Sequence, residues 1–287
     1  MKPAVLFLIL LIAFTACNDP QSEVSQIRLK GSESMHAVFQ QLKADFEKSN
    51  PEIQIILEGG GSRTGLDAIR EQSADIGLSS FEFDLNKELG ATSKVKEQVV
   101  AYDGIVIITN ENNPLDSLTN EQVEKIYEGQ ISNWSELGGK SGTILPIVRD
   151  GNSGTQKFFT EHYKINGLSN TAITIDENKD IVNKVHSNVN AIGFIGFAYF
   201  SLGVHEIKLA ADSFKFRAPT KSNLLNNSYP LKRGLRIYYN DQMSDSTKAF
   251  LVYLNSDNAK SIIESFGLIR RFVGPWRTAP SRRRRGA

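Results

Sequence analysis

The chain has 287 residues, of which 40% are hydrophobic and 23% are charged, and this composition excludes a fibrous or wholly disordered protein. Its length is sufficient for two modest hydrophobic cores. The formal net charge of +1 gives no general field that would attract nucleic acid or an anionic membrane. Any anion that binds must therefore be held by local groups.

The first sixteen residues predict a signal peptide for export. Lys2 precedes an unbroken apolar run at 4–14, which is about half the ~20 residues that a membrane-spanning helix needs. Cys17 follows this run closely, and residues 14–17 resemble a bacterial lipobox. Because Cys17 is the only cysteine, no disulfide forms within the chain, and we favour a lipid-bearing cysteine over plain cleavage of the signal. Residues 17–26 are then a polar tether for a membrane-anchored lipoprotein on the periplasmic or extracellular face.

After residue 27, short apolar segments alternate with longer amphipathic ones, which is typical of an α/β protein with mostly parallel sheets. In the first part of the chain, the pattern predicts strands at 27–29, 53–57, 74–80 and 99–109 and helices at 35–48 and 66–73. The strand at 99–109 is rich in Val and Ile and is the best candidate for a crossing into a second lobe.

Further along the chain, the pattern predicts helices at 119–127, 154–163, 246–254 and 258–266 and strands at 144–148, 191–199 and 234–239. The strand at 234–239 would return the chain to the first lobe, and two crossings make a hinge. The expected fold is two-lobed α/β, with lobe I at 27–104 plus 234–275, lobe II at 105–233 and a basic tail at 276–287. We interpret the arginines at 282–285 as solvated rather than as a contact for nucleic acid.

A polar, glycine-containing loop occurs three times, each time after a predicted strand and before a predicted helix, at 31–34, 59–65 and 151–155. The start of a helix leaves unpaired N–H groups and a partial positive charge, and glycine lets an anion approach the backbone closely. One such loop alone is more often a simple helix cap, but three together favour an anion site. Arg149 lies four residues before Ser153 and could aim a guanidinium at the same ligand, although a surface salt bridge would explain it equally well.

The motifs of an anion-handling enzyme are missing. Residues 59–65 lack the Gly-Lys-Ser/Thr ending of a P-loop, and the chain has no Gly-x-Ser-x-Gly elbow. The four histidines show no metal-ligand spacing. We therefore expect a protein that is not an enzyme and needs no cofactor or metal.

Several segments occur in the order that is characteristic of phosphate-binding proteins of bacterial ABC transporters. They are Gly31-Ser32-Glu33-Ser34, Gly61-Ser62, Ala74-Asp75-Ile76-Gly77, the run from Arg149 to Thr155, and Ala191-Ile192-Gly193-Phe194-Ile195-Gly196. From about residue 27 to residue 273, the chain resembles this family of extracytoplasmic solute-binding proteins. The run Arg-x-x-x-Ser-Gly-Thr at 149–155 is the most specific of these segments.

The resemblance implies a two-lobed periplasmic-binding-protein fold of type II that captures inorganic phosphate and delivers it to the permease subunits of an ABC importer. It also implies a monomer that does not bind nucleic acid. The ligand contacts that it implies fall on Ser34, the backbone of Met35, Ser62, Arg149, Ser153, Gly154 and Thr155, with Ser80 at a further site position.

Ser80 is a departure from the family pattern, since some members have an aspartate at this position. A carboxylate would accept the proton of hydrogen phosphate and repel sulfate, whereas a hydroxyl can accept but cannot repel. Asp103, Glu33 or Glu58 could supply the missing acceptor, although solvated or salt-bridged carboxylates are the commoner outcome. Two alternatives therefore stay open: a binding protein for sulfate or molybdate, and a sensor or adhesion lipoprotein with the same fold.

Overall fold

The computed structural model describes residues 24–200, 203–212 and 215–270. The predicted signal peptide, Cys17 and the basic tail at 276–287 lie outside these residues. In the part of the chain that is described, no helix has the length and apolar character needed to cross a bilayer.

The secondary structure alternates as the sequence predicts. The strands are β1 (Ser25–Gly31), β2 (Ile53–Gly60), β3 (Ile76–Ser79), β4 (Val95–Asn110), β5 (Ser117–Leu118), β6 (Leu145–Val148), β7 (Ile173–Thr174), β8 (Ala191–Gly196), β9 (Val204–Glu206), β10 (Lys208–Asp212), β11 (Lys215–Arg217) and β12 (Lys232–Asn240). The helices are α1 (Glu33–Ser49), α2 (Ser62–Arg70), α3 (Leu85–Leu89), α4 (Asn120–Glu128), α5 (Gly154–Tyr163), α6 (Asn178–His186), α7 (Lys221–Leu225), α8 (Asp245–Tyr253) and α9 (Asp257–Ser265).

Each predicted helix is confirmed, and α5 has the predicted bounds. Thr119 caps α4 as expected, because its side chain accepts the N–H of Gln122 while the Gln122 side chain accepts the N–H of Thr119. The sequence pattern did not predict α3, α6, α7 or the short strands β5, β7 and β9 to β11. The strand predicted at 191–199 ends at Gly196, because a 3₁₀ helix follows at Phe197–Tyr199.

Nine of the described strands form one sheet in the order β2-β1-β3-β12-β4-β8-β6-β7, with β9 paired to β4. Strands β1, β2 and β3 are parallel at one end, and β6, β7 and β8 are parallel at the other. At the centre, β12 is antiparallel to β3 and β4, and β4 is antiparallel to β8. The sheet is therefore mixed, not mostly parallel, because β4 carries the chain from one end of the sheet to the other and β12 brings it back.

Strand β4 contributes to both ends of the sheet. Residues 95–104 pair with β12, and the residues that follow pair with β8. Side chains alternate along a strand, so Ile105 and Ile107 point into one buried cluster and Val106 and Ile108 into another. This burial on both faces explains the unbroken apolar run that the sequence shows here.

Two groups of buried side chains lie at the two ends of the sheet. The first core packs α1, α8 and α9 against β1, β3 and β12, and its largest members include Phe39, Phe46, Tyr239 and Phe250. The second core packs α4 and α5 on one face of β4 and β8 and α6 on the other, and its members include Tyr127, Phe159, Ile181 and Phe194. In the second core, the rings of Phe159 and Phe194 stack with centroids 3.9 Å apart.

Helix α2 lies directly on the backbone of the first sheet end. A Cβ at Gly65 would lie 2.6 Å from the carbonyl oxygen of Leu78 and 2.8 Å from that of Lys30. Gly31 continues this close contact and has a φ of +139°, which L side chains rarely adopt. The absence of side chains at Gly31 and Gly65 therefore lets α2 lie this close to β1 and β3.

We predict that Gly65→Ala destabilises the protein, although alanine is the better helix former. Overpacking against the β1 and β3 backbone should lower the free energy of unfolding by about 1–3 kcal/mol, more than the ~1 kcal/mol that alanine gains in a helix. Urea unfolding measures this change. Gly167→Ala is the matched control, because a Cβ at Gly167 meets nothing within 4 Å. Equal stability of Gly65→Ala and the wild type would contradict the prediction.

Candidate functional site

The three glycine-containing loops each begin a helix, as the sequence predicts. Helix α1 begins after Ser32, α2 after Gly61 and α5 after Ser153. The Ser153 side chain accepts the N–H of Gln156 at 3.3 Å, so it acts as a helix cap. The first-turn N–H groups of a helix lack the carbonyl partner that later residues have. Two of them find other acceptors here, since the Met35 N–H donates to the Ser32 carbonyl oxygen and the Arg63 N–H to that of Asn152.

These three helix starts converge between the two cores. The hydroxyls of Ser34 and Thr155 lie 2.8 Å apart, which joins α1 to α5. The N–H of Arg63 donates to the carbonyl oxygen of Asn152 at 3.1 Å, which joins α2 to the loop before α5. Gly154 lies so close to α2 that a Cβ there would clash with the Ser62 hydroxyl.

Arg149 is buried beside these helix starts and is only 3% exposed. The backbone N–H of Arg149 donates to Oε1 of Gln156 at 2.7 Å, and this hydrogen bond connects the end of β6 to the first turn of α5. Its Nε and Nη1 atoms have no hydrogen-bond partner among the described residues. Burial is the main cause that lowers the pKa of the Arg149 guanidinium. An anion beside it would supply the acceptor that these two nitrogens lack.

A short chain of hydroxyls lies at the start of α2. Ser32 Oγ donates to Ser80 Oγ at 2.9 Å, and the Ser80 N–H donates to Ser62 Oγ at the same distance. The Ser62 and Ser80 hydroxyls also lie 3.3 Å apart, and either can donate to the other. Since that bond uses one hydroxyl hydrogen, the other is available to a ligand.

A second buried guanidinium, Arg233 on β12, completes the cluster. Its Nη1 donates to Thr155 Oγ1 at 2.8 Å, and its Nη2 donates to Asp103 Oδ2 at 2.9 Å. The side chains of Arg233 and Asp103 are each 1% exposed. Burial is the largest influence on both groups: it raises the pKa of Asp103 and lowers the pKa of Arg233, and their mutual attraction opposes both shifts.

Sequence reasoning missed Arg233. A usable signal was present, because residues 231, 233, 235, 237 and 239 share one face of the strand pattern and all but Arg233 are apolar. A charged residue among core positions indicates a buried partner, which here is Asp103.

The three carboxylates considered for the acceptor role lie in different environments. Asp103 is buried, contrary to the solvated alternative, and its Oδ1 also accepts the Phe197 N–H at 3.1 Å. Glu33 accepts the Gly60 N–H at 2.7 Å. Glu58 pairs with Lys30 at the surface, 3.0 Å apart.

Of the predicted site residues, Ser34, Ser62, Ser80, Arg149, Ser153, Gly154 and Thr155 come together in this cluster. Met35 is different: its side chain is buried in the first core, and its N–H donates to the Ser32 carbonyl oxygen at 3.0 Å. Any ligand contact of the Met35 N–H would have to share that hydrogen with Ser32.

Hydrogen-bond donors dominate the cluster. Two guanidinium groups face one buried carboxylate, so the buried charged side chains give a local excess of one positive charge, to which three helix starts add.

Clefts of about 760 Å³ and 440 Å³ flank the cluster, and each is lined by residues from both ends of the sheet. Among the described residues, no group of three His, Cys, Asp or Glu side chains could hold a metal ion. The arrangement is suited to a small oxyanion.

The buried Arg233–Asp103 pair generates a stability prediction. Arg233→Met leaves the Asp103 carboxylate buried without its cation, and the free energy of unfolding should fall by about 3–5 kcal/mol. Adding Asp103→Leu removes that charge and should restore much of the loss. Urea unfolding tests both variants, with Arg70→Met as the control because the Arg70–Asp67 pair is partly exposed. A loss below about 1 kcal/mol in Arg233→Met would contradict the prediction.

Similar proteins cover nearly all of the chain. It is 26% identical over 280 residues to the phosphate-binding protein PstS of Borreliella burgdorferi, covering 94% of this chain and 99% of that protein. A solved structure described as a phosphate ABC transporter substrate-binding protein from Clostridium perfringens, with bound phosphate, is 30% identical with a TM-score of 0.80, covering 86% of this chain and 100% of the other. An ABC-type phosphate transport receptor from Vibrio cholerae is 29% identical with a TM-score of 0.71, covering 85% and 100%.

The fold and these similarities agree with the family match. Residues 18–258 match the family described as the PBP superfamily domain, which is most of the chain. The architecture is the periplasmic-binding-protein fold that the sequence predicts, built on a mixed sheet with helices on its faces. The chain belongs to the PBP superfamily.

Proposed function

We propose that this chain is an extracytoplasmic solute-binding protein that captures inorganic phosphate and delivers it to an ABC importer. The observation that carries the proposal is Arg149, a buried guanidinium whose Nε and Nη1 lack partners beside three converging helix starts. A fully enclosed dianion needs donors that replace its water shell, and this cluster offers guanidinium, hydroxyl and backbone N–H groups. The names of the relatives in Borreliella, Clostridium and Vibrio support phosphate as the ligand.

A second oxyanion remains a candidate because of Ser80. At this position a hydroxyl, itself bonded to Ser32 and Ser62, replaces the carboxylate that some relatives have. Asp103 is buried nearby, but its Oδ2 already accepts two hydrogen bonds from Arg233. Sulfate has no proton to offer, so a site rich in donors with its carboxylate engaged accommodates sulfate more readily than one with a free carboxylate.

For the domain organisation, we propose lobe I at 27–104 plus 234–275 and lobe II at 105–233. The membership of the two cores supports these bounds, since the first core draws on residues up to Ala101 and again from Leu235, and the second core begins at Ile105. Ile269 is an exception, because it belongs to the range proposed for lobe I but packs in the second core. Strands β4 and β12 connect the lobes and serve as the hinge. Opening at this hinge separates Ser34, Ser62 and Ser80 from Arg149 and the start of α5, and closing encloses the ion.

We also propose that the protein acts at the membrane surface. Lipid attached to Cys17 would hold the protein at the membrane, with residues 17–26 as a tether to the binding domain. The proposed protein is a monomer that performs no catalysis and contacts the permease subunits of the importer. Its lack of catalytic motifs and the transport names of its relatives support this role.

We predict one-to-one binding of phosphate by isothermal titration of the purified protein, after unfolding and refolding to remove bound ligand. Arg149→Ala should weaken binding at least tenfold, because a hydrogen bond to a charged group is worth about 1.5–3 kcal/mol. Arg70→Ala, an exposed arginine on α2, should bind as the wild type does.

Titrations with sulfate and molybdate complete this experiment. If sulfate or molybdate binds tightly and phosphate binds weakly, that anion and not phosphate is the ligand of the protein. If none of the three binds, oxyanion capture is wrong.

A contact between the two proposed lobes generates a kinetic prediction. Lys157 on α5 lies over the rings of Phe81 and Phe83, with its Nζ 4.5 Å and 5.0 Å from their centroids. Phe158 packs against the same aromatic cluster. Because closure makes these contacts, they should stabilise the closed form and slow the release of the ligand.

Lys157→Met should therefore accelerate phosphate dissociation about three- to tenfold, as expected for the loss of a partly buried cation–π contact. Stopped-flow release into a phosphate-trapping reagent measures this rate. Lys87→Met, at an exposed position on α3, is the matched control. An unchanged dissociation rate in Lys157→Met would show that the contact does not help to hold the protein closed.

A further inference from the structure

Asn178 is a buried amide at the start of α6 that neither the sequence motifs nor the relatives' names single out. Its side chain accepts the N–H of Gly196 at Oδ1, 3.2 Å away, and the residue is 2% exposed. Its Nδ2 has no hydrogen-bond partner among the described residues. The orientation of the amide is determined, since a backbone N–H can only donate and must face the oxygen. The unpartnered atom is therefore a donor.

This donor lies against the anion site. A Cβ at Gly196, the residue bonded to Asn178, would lie 3.0 Å from Asp103 Oδ2, 3.5 Å from Arg233 Nη2 and 3.7 Å from Ser34 Cβ. Asn178 also lines the 440 Å³ cleft beside the site, together with Glu33 and Tyr199. The amide thus lies between the site cluster and the cleft that leads to it.

The segment that leads into α6 is hydrogen-bonded to the end of β6, directly before Arg149. The Ile175 N–H donates to the Val148 carbonyl oxygen at 2.9 Å, directly before Arg149. Asn178 follows three residues later and begins a helix of nine residues. A fourth helix start, with its own partial positive charge, is therefore held beside Arg149 in addition to those of α1, α2 and α5.

The unpartnered buried atoms around this site are all donors: Nε and Nη1 of Arg149 and Nδ2 of Asn178. Donors cannot satisfy one another, so each of these atoms needs an acceptor. We propose that Asn178 is a further ligand-binding residue, whose Nδ2 donates to an oxygen of the captured oxyanion. This inference rests on the proposed function and extends it, because a neutral amide adds a directed hydrogen bond without adding charge.

The test is N178D, with titration of phosphate as the probe. This substitution keeps the Oδ1 acceptor for Gly196 and the size of the side chain, and replaces only the donor by a carboxylate oxygen. An acidic residue in the first turn suits the helix dipole, which offsets part of the cost of burying a carboxylate at position 178, so urea unfolding of the ligand-free protein should show a folded variant of reduced stability. Phosphate affinity should fall by about a hundredfold or more, since a lost hydrogen bond and a repelling charge combine.

N183D is the matched control, because Asn183 lies on the same helix and is exposed. It adds the same charge and should bind phosphate within about twofold of the wild type. The affinity gap between the wild type and N178D should also narrow from about pH 8 to about pH 5, because burial raises the pKa of the new carboxyl and its protonated form regains a donor. A role limited to supporting Gly196 would produce neither the loss nor the narrowing.

The outcomes are separable. If the wild type binds phosphate and N178D binds it within about twofold, the inference is overturned while the proposed function stands. If the wild type binds no phosphate, sulfate or molybdate, the proposed function and the inference fail together. Should N178D fail to fold by circular dichroism, N178A decides: a loss of about fivefold or more in affinity, with unchanged stability of the ligand-free protein, supports the donor, and any other result overturns it.

Discussion

A guanidinium group that leaves water must find acceptors, and Arg149 finds none for two of its nitrogens within the described protein. The neighbouring groups intensify this demand, because Arg233 brings a second buried cation and only Asp103 balances it. Helix starts and hydroxyl hydrogens add donors on the other sides. An anion that completes this site stabilises it, and this relation connects the chemistry of the cluster to the proposed function.

The fold meets this requirement by bringing distant parts of the chain to one point. Two of the helix starts are held against strands: α2 lies directly on β1 and β3 through Gly65, and the backbone N–H of Arg149, directly after β6, donates to the Gln156 side chain in α5. The long strands β4 and β12 supply Asp103 and Arg233 from the centre of the sheet. The site is therefore assembled where the two cores meet, and neither core contains it alone.

Much of this could be predicted from local sequence. Ser153 is a local signal for the start of α5 because its side-chain oxygen caps the helix, and the apolar run from Ile105 to Ile108 indicates a strand buried on both faces. These features depend only on neighbours in the chain. The convergence of the three loops was a reasonable expectation, since each follows a strand.

Other features depend on partners far away in the chain. The Asp103–Arg233 pair joins residues 130 positions apart, and neither residue type alone indicates a buried partner. Helix α6 has a short, polar sequence, so Asn178 carried no local signal. The antiparallel centre of the sheet follows from the opposite directions of β4 and β12, and apolar periodicity does not encode strand direction.

Helix α5 performs several tasks within ten residues, a length of about 15 Å. Its first turn faces the anion cluster, Lys157 and Phe158 contact the aromatic residues beside the first core, and Phe159 stacks on Phe194 in the second core. Because α5 is short, a change in the packing of Phe159 also displaces the end of the helix that faces the ligand. The affinity of the site can therefore be tuned from deep within the second core, by substitutions that never touch the ion.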